Sequence, residues 1–392
     1  MKKTLIALAA LGAMAGAAQA QSTVTIYGLL DANFGSYKTN VASGATIQNL
    51  TQTKIDSGGL NGSRWGIRFS EDIGGGMAII GNLESGINLD SGSSAQGGLL
   101  FGRRANVGVS SGFGTLVIGR NSSSYDDISA DHAMMGATIF DPSNTNNGNS
   151  AAVAGTLNTA AGAAAFLGRN TTWIGFNTRF NNSVKYTTPN FSGFTASFMY
   201  AFGEDKTATV GAVPGVSASK TVSGYLKYAN GPLLISGGYQ SEGITRTATT
   251  EPALQNTLLN FAYDFGVAKL GLGFNRAKYK DVAAPTVVGV APGEFKRNNE
   301  YSLSVAVPLG ATTLSAGYAQ SKGDTLGKST GYGVQALYSL SKRTTLYAGA
   351  LSTKAFDTLA SQINNGTLVG FAAGASSIGR TTTYAAGIRH TF

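Results

Sequence analysis

The sequence predicts an all-β fold, a transmembrane antiparallel β-barrel of about 16 strands. Three observations predict it. Apolar and polar side chains alternate with a period of two in many segments. Short turns and long polar loops alternate between those segments. The alternation runs to the last residue, so the chain ends inside a strand.

The period is that of a strand with two different faces. In SGFTASFMYAFG, Phe194, Ala196, Phe198, Tyr200 and Phe202 share one face, and Thr195, Ser197 and Met199 the other. EYSLSVAVP sets Tyr301, Leu303, Val305 and Val307 against Ser302, Ser304 and Ala306. TLLNFAYDFG and GYGVQALYSL behave alike. Such runs are about ten residues long, enough for a tilted strand to cross a bilayer. One face is apolar along its length and the other too polar for a dry core.

Gly, Asn and Pro mark the short turns, for example Ser111–Gly114, Pro189–Gly193 and Asn230–Pro232. The long connections are expected near 37–60, 90–99, 121–179, 203–220, 242–255, 280–298, 322–329 and 354–379. An even strand number with short turns at one end and long loops at the other is the plan of an outer-membrane barrel. Only closure lets every backbone group pair inside lipid. It also explains the terminus: Phe392, His390, Ile388, Ala386 and Tyr384 form one face of a last strand that pairs with the first.

The N-terminus reads as a secretory signal peptide over 1–20. Lys2 and Lys3 precede an apolar run and an Ala18-Gln19-Ala20 site, so cleavage between Ala20 and Gln21 is expected. The barrel then occupies 21–392. There is no cysteine, which excludes disulfides and thiolate metal sites. The formal net charge is +9, two of it from Lys2 and Lys3, and the rest is scattered. No basic run of the kind that binds nucleic acid occurs. After residue 20 no apolar stretch is long enough for a transmembrane helix.

Five stretches carry a resemblance: VTIYGLLDANFG (24–35), GSRWGIRFSEDIGGGMAIIGNLESGINLD (62–90), FGRRANVGVSSGFGTLVIGRNSSSYDD (101–127), RFNNSVKYTTPNFSGFTASFMYAFGE (179–204) and the terminal YAAGIRHTF. Together they resemble the trimeric general diffusion porins of Gram-negative outer membranes. The resemblance implies three barrels per particle, with the third loop folded into each lumen and arginines on the wall facing acidic groups on that loop. It implies passive diffusion of ions and small hydrophilic solutes. It also implies a homotrimer in contact with outer-membrane lipid and lipopolysaccharide. The terminal aromatic, Phe392, resembles the signal read by the assembly machinery. No cofactor, metal or nucleic acid is implied.

Carried over residue by residue, the first wall arginine falls on Arg64. Alternation agrees, because Trp65, Ile67 and Phe69 face lipid and Arg64 and Arg68 the lumen. A second falls within FGRRANVG. The resemblance favours Arg103 and alternation favours Arg104. A third falls on Arg179, with Asn181 and Lys185 on the same face, and Arg120 is a further candidate. A charge on the lipid face costs about 2–4 kcal/mol at the midplane, which favours the lumen for the cluster. On the loop, Tyr125, Asp126 and Asp127 match the family's loop start, with Asp131 and Asp141 nearby. The family's Pro-Glu-Phe-Gly element is missing, and Phe140-Asp141-Pro142 stands nearest to it. Asn144–Leu167 makes the loop unusually long.

Candidate basic groups outnumber carboxylates, so a weak to moderate anion preference is expected. Two other functions compete. A sugar- or nutrient-specific channel would need an aromatic slide, and inward aromatics are few (Tyr225, Tyr27, Tyr347). A barrel hydrolase would need His132 in a triad with Asp131 and a nearby serine. An adhesive role for the surface loops can coexist with transport.

Overall fold

The structure, a computed structural model, describes residues 22–43, 46–144, 172–173, 175–204, 206, 218–243, 251, 253–280, 297–323, 327–354, 356 and 377–392. The expected leader and its cleavage site at Ala20–Gln21 lie outside these residues.

Seventeen strand segments form one antiparallel sheet. They are β1 (Thr23–Ser43), β2 (Thr46–Ser57), β3 (Arg64–Gly74), β4 (Met77–Gly86), β5 (Arg104–Ser111), β6 (Gly114–Ser122), β7 (Arg179–Thr187), β8 (Phe194–Phe202) and β9 (Lys220–Asn230). There follow β10 (Leu233–Gly243), β11 (Ala253–Asp264), β12 (Lys269–Lys280), β13 (Asn298–Leu309), β14 (Thr312–Gly323), β15 (Gly327–Ser339), β16 (Thr344–Lys354) and β17 (Ser377–Thr391). Each pairs with the next along the chain, except that β2 and β3 both pair with β1. Ala32 stands opposite Ser57, whereas Leu29 stands opposite Arg64. β2 and β3 are therefore two halves of one barrel strand, interrupted by residues 58–63, and the barrel has 16 strands.

The barrel closes between β1 and β17, from Leu29 opposite Thr391 to Ala42 opposite Ser377. Gly28 and Phe392 exchange two backbone hydrogen bonds of 3.1 and 3.0 Å. A Cβ on Gly28 would lie 2.4 Å from the Phe392 ring, so glycine there lets the terminal aromatic lie across the seam. Closure satisfies the backbone groups that an open edge would leave bare.

The alternation agrees with the sequence pattern. In β13, Tyr301, Leu303 and Val305 are exposed on the outside, and Glu300, Ser302 and Ser304 are buried inside. Two of the expected long loops need correction. Pairing between β1 and β2 continues to Ser43 opposite Thr46, inside the region read as a loop over 37–60. Likewise β14 and β15 pair out to Gly323 opposite Gly327.

Candidate functional site

The interruption at residues 58–63 is built around one carboxylate. Asp31 points inward and is fully buried. Its Oδ1 accepts the Gly59 N–H (3.1 Å) and the Tyr347 hydroxyl (2.5 Å), and its Oδ2 accepts the N–H groups of Leu60 and Asn61 (2.8 Å each). Successive backbone N–H groups around one anion form a nest. The nest sets the direction of the carbonyls around it: Gly62 O accepts the Arg64 Nε–H at 3.0 Å, and Gly59 O accepts the N–H of Ile139 at 2.9 Å.

Ile139 belongs to the third loop, between β6 and β7. Its described part lies inside the barrel along the wall from β8 to β16. Tyr125 Oη donates to Asn275 Oδ1 (2.9 Å), and Ser304 Oγ accepts the Met134 N–H (2.9 Å). Tyr125, Ile128, Trp173, Phe176, Leu258 and Ala319 form an apolar cluster beneath the loop. Burying each large side chain there contributes roughly 1.5–3 kcal/mol. Inward glycines give the loop room. A Cβ on Gly271 would come 1.8 Å from the His132 carbonyl oxygen, and one on Gly333 1.8 Å from that of Phe140.

Between the loop and the opposite wall is a cavity of about 630 Å³, lined by Arg64, Arg103, Arg104 and Arg179 on the wall. Glu84, Asp126 and Asp127 supply its acidic groups, and Ala130, Ala137, Ile139 and Asn144 its neutral loop edge. A second cavity of about 490 Å³ adjoins it, with Arg68, Arg104, Asp127 and Lys185 in its lining. The choice between Arg103 and Arg104 dissolves. Arg104 starts β5 on the inward face, opposite Glu84. Arg103 precedes the strand, where alternation does not bind it, and its Nε meets Glu84 Oε1 at 2.6 Å. Glu84 was legible in principle: in GNLESG it shares the inward face with Asn82.

Arg68 lies over the Tyr27 ring at 4.1 Å, whose hydroxyl donates to Glu84 at 2.7 Å. Lys185 pairs with Asp127 at 2.6 Å and also donates to Ser122 O. Arg120 departs from its expected place. It stands opposite Ala105, on the outward face with Val107 and Ile118, and donates to Gly102 O and Asn181 Oδ1. A register shift between Gly119 and Asn121, with Asn182 at φ 49°, turns Asn181 to the same outward side.

The acidic face of the loop is also thinner than the sequence predicts. Asp131 is turned to the wall, where it pairs with Lys227 (2.9 Å) and accepts the Ser236 hydroxyl (2.8 Å). Asp141 is buried and accepts the N–H and hydroxyl of Ser143. Tyr125 anchors the loop and does not line the bore. The segment 145–167 lies outside the described residues. Asp126 therefore stands as the loop carboxylate facing Arg179 that no lysine holds among the described residues. Burial raises its carboxyl to about 6, against the opposing pull of Arg179. Lowering the pH through about 6 protonates it and removes a negative charge from the bore. Anion preference should rise between about pH 7 and about pH 5. Reversal potentials at the two pH values check this, and Asp126→Asn should hold the more anion-preferring state at both.

His132 is buried and stacked on Trp173 at 4.9 Å between ring centroids. Its Nδ1 lies 2.8 Å from Asn260 Oδ1 and its Nε2 3.2 Å from Ser143 Oγ. Burial lowers its pKa to about 4, so the ring is neutral at pH 7. The Asn260 amide nitrogen already donates to Ile128 O and Ser236 Oγ, so Nδ1–H donates to the amide oxygen. Asp131 does not bond the ring directly; it is linked to it through Ser236 and Asn260, with Asn260 occupying the Nδ1 position that a triad carboxylate would need. The histidine fastens the loop to β11.

Comparison with known proteins fits this geometry. The family model described as Gram-negative porin matches residues 7–357. The chain belongs to the Gram-negative porin family. Outer membrane porin protein 32 of Delftia acidovorans is 34% identical, with all of both chains covered. An outer membrane porin of Bordetella pertussis is 31% identical over 91% of this chain and 95% of its own length. Among solved structures, the anion-selective porin from Comamonas acidovorans superposes with a TM-score of 0.69 at 28% identity, covering 95% of this chain and all of that one. The trimer form of OmpT of Vibrio cholerae shares the fold, with a TM-score of 0.54 at 16% identity over 95% of this chain and 99% of its own. This porin is an outer-membrane protein, and its relatives are channels rather than enzymes.

Proposed function

We propose that this porin is a passive diffusion channel with a preference for small anions, and that the wall arginines set the preference. One observation carries the reading. Four arginines line the cavity between wall and loop, while Asp131 and Asp141 are turned away and Asp127 is held by Lys185. With Glu84 held by Arg103, the bore presents Arg64, Arg104 and Arg179 against Asp126. A low-dielectric passage lined by one sign of charge concentrates the opposite ion. Likeness to the anion-selective porin from Comamonas acidovorans supports the same sign. Three such barrels in a homotrimer, delivered by a cleaved leader and assembled through Phe392, complete the reading.

Replacing Arg64 and Arg179 together by Glu changes the bore by four charge units and should invert the preference. Relative permeability of chloride and potassium, read from reversal potentials, checks it. An unchanged ratio would remove these two arginines from the selectivity filter.

A further inference from the structure

Glu84 is the carboxylate that the wall itself brings to the constriction. It faces inward from β4 and stands directly opposite Arg104 of β5. Side chains so placed have Cβ atoms about 4.5–5.5 Å apart, and opposite charges there attract. The structure does not make that pair. Glu84 Oε1 meets Arg103 Nε at 2.6 Å, and Oε2 accepts the hydroxyl of Tyr27 at 2.7 Å. Both oxygens are taken and the Glu84 side chain is 8% exposed. Arg104 is left exposed to the lumen.

Tyr27 reaches Glu84 across an intervening strand. The ring passes over β3 at Gly66, which stands opposite both Tyr27 and Glu84. A Cβ on Gly66 would lie 2.8 Å from the Tyr27 ring and from its hydroxyl, so the crossing needs a residue without a side chain. Arg68, the next inward residue of β3, lies over the ring at 4.1 Å. The hydroxyl has one proton and two acceptors in reach, Glu84 Oε2 and, at 3.0 Å, Asn82 Oδ1. The carboxylate is the stronger acceptor. Tyr27 is in the lining of neither cavity of the bore, so it acts on passing ions through the groups that it holds.

The two anchors of Glu84 do different things. Arg103 neutralises its charge, and Tyr27 fixes where that charge sits. Without the hydroxyl, Oε2 is a buried carboxylate oxygen short of a donor, which is costly. The register puts Arg104 directly across the ladder as the replacement. A Glu84 shared between Arg103 and Arg104 weakens one of the three arginines that the bore sets against Asp126.

We propose that Tyr27 is a positioning residue of the selectivity filter: it holds Glu84 on Arg103 and so keeps Arg104 open to passing anions. The proposal rests on the reading of the wall arginines as that filter.

The test uses the full-length mature protein in planar bilayers. Tyr27→Phe changes no formal charge and keeps the ring that Arg68 covers. The permeability ratio of chloride to potassium, read from reversal potentials under a KCl gradient, should fall about twofold as one arginine is screened. Glu84→Gln should raise the ratio. In the Glu84→Gln background, Tyr27→Phe should leave the ratio where it is, because the carboxylate that it positions is gone. A tyrosine that only packs the wall would change the ratio alike in both backgrounds. An unchanged ratio in Tyr27→Phe, or an equal fall with and without Glu84, overturns the proposal. Each ratio is taken relative to its parent, so the effect is read whichever ion the native channel prefers. Potassium preference in the native protein would contradict the pore reading; an unchanged ratio in Tyr27→Phe would contradict this one alone. If Tyr27→Phe forms no channels, Tyr27→Met is measured with the same expectation, since its flexible side chain fills the space without a donor.

Discussion

Gly271→Val should open the pore. The new Cβ would lie 1.8 Å from the His132 carbonyl oxygen, and rotating a side chain does not relieve a clash with backbone. Overpacking of this kind costs about 1–3 kcal/mol and more where nothing yields. At about 3 kcal/mol the docked loop loses roughly a hundredfold in its equilibrium with undocked states. The strand itself tolerates valine, so the barrel persists while the loop leaves its seat. Single-channel recording should show higher conductance and more current noise, and the folded barrel should still run as the compact form on gels of unheated samples. Gly333→Val, which meets Phe140 O at the same distance, should do the same from three strands away. Native conductance in both variants would mean that the loop does not narrow the lumen.

The second large effect is expected at Asp31. Replacing it by Ala removes the acceptor of three backbone N–H groups and the Tyr347 hydroxyl, all at a buried site. Each donor left unsatisfied costs about 1–3 kcal/mol. The segment 58–63 should lose its shape, and with it the anchor of Arg64 at Gly62 O and of the loop at Gly59 O. Asp31→Ala should lower the temperature at which the barrel unfolds on heating and broaden the distribution of conductance levels. Asp31→Asn retains one acceptor and should fall between. Tyr347→Phe removes the hydroxyl that donates to Asp31 Oδ1 and lies 3.3 Å from Ala32 O, and should cost about 1 kcal/mol. If Asp31→Ala keeps both the melting temperature and a single sharp conductance, the nest is not what shapes this wall.

Most of the barrel was legible because lipid imposes a rule on every second residue. Phe194–Phe202 and Tyr301–Val307 obey it, and the structure pairs them accordingly. Where strands leave the bilayer the rule lapses. TNVAS and TIQNLTQTK have no apolar face and read as loop, yet they form the upper, paired parts of β1 and β2. The arginine wall was legible for the same reason as the strands: Arg64 and Arg104 follow the inward parity. Arg103 escaped it because it sits outside the strand, and Asn181 because a register shift swaps the faces, whereas Arg120 follows the outward parity of Leu116 and Ile118. The loop carboxylates could not be sorted from sequence. Whether Asp131 faces the bore or Lys227 depends on a contact between residues 96 apart. Gly271 and Gly333 are two among 54 glycines in the sequence, and only the loop lying over them sets them apart.

The sign of the selectivity is the central claim, and the reversal potential of the native protein in a planar bilayer under a KCl gradient at about pH 7 measures it directly. Three wall arginines against one loop carboxylate predict a potential that favours chloride. A potential favouring potassium would contradict the account, because the carboxylates would then dominate a bore in which the arginines outnumber them.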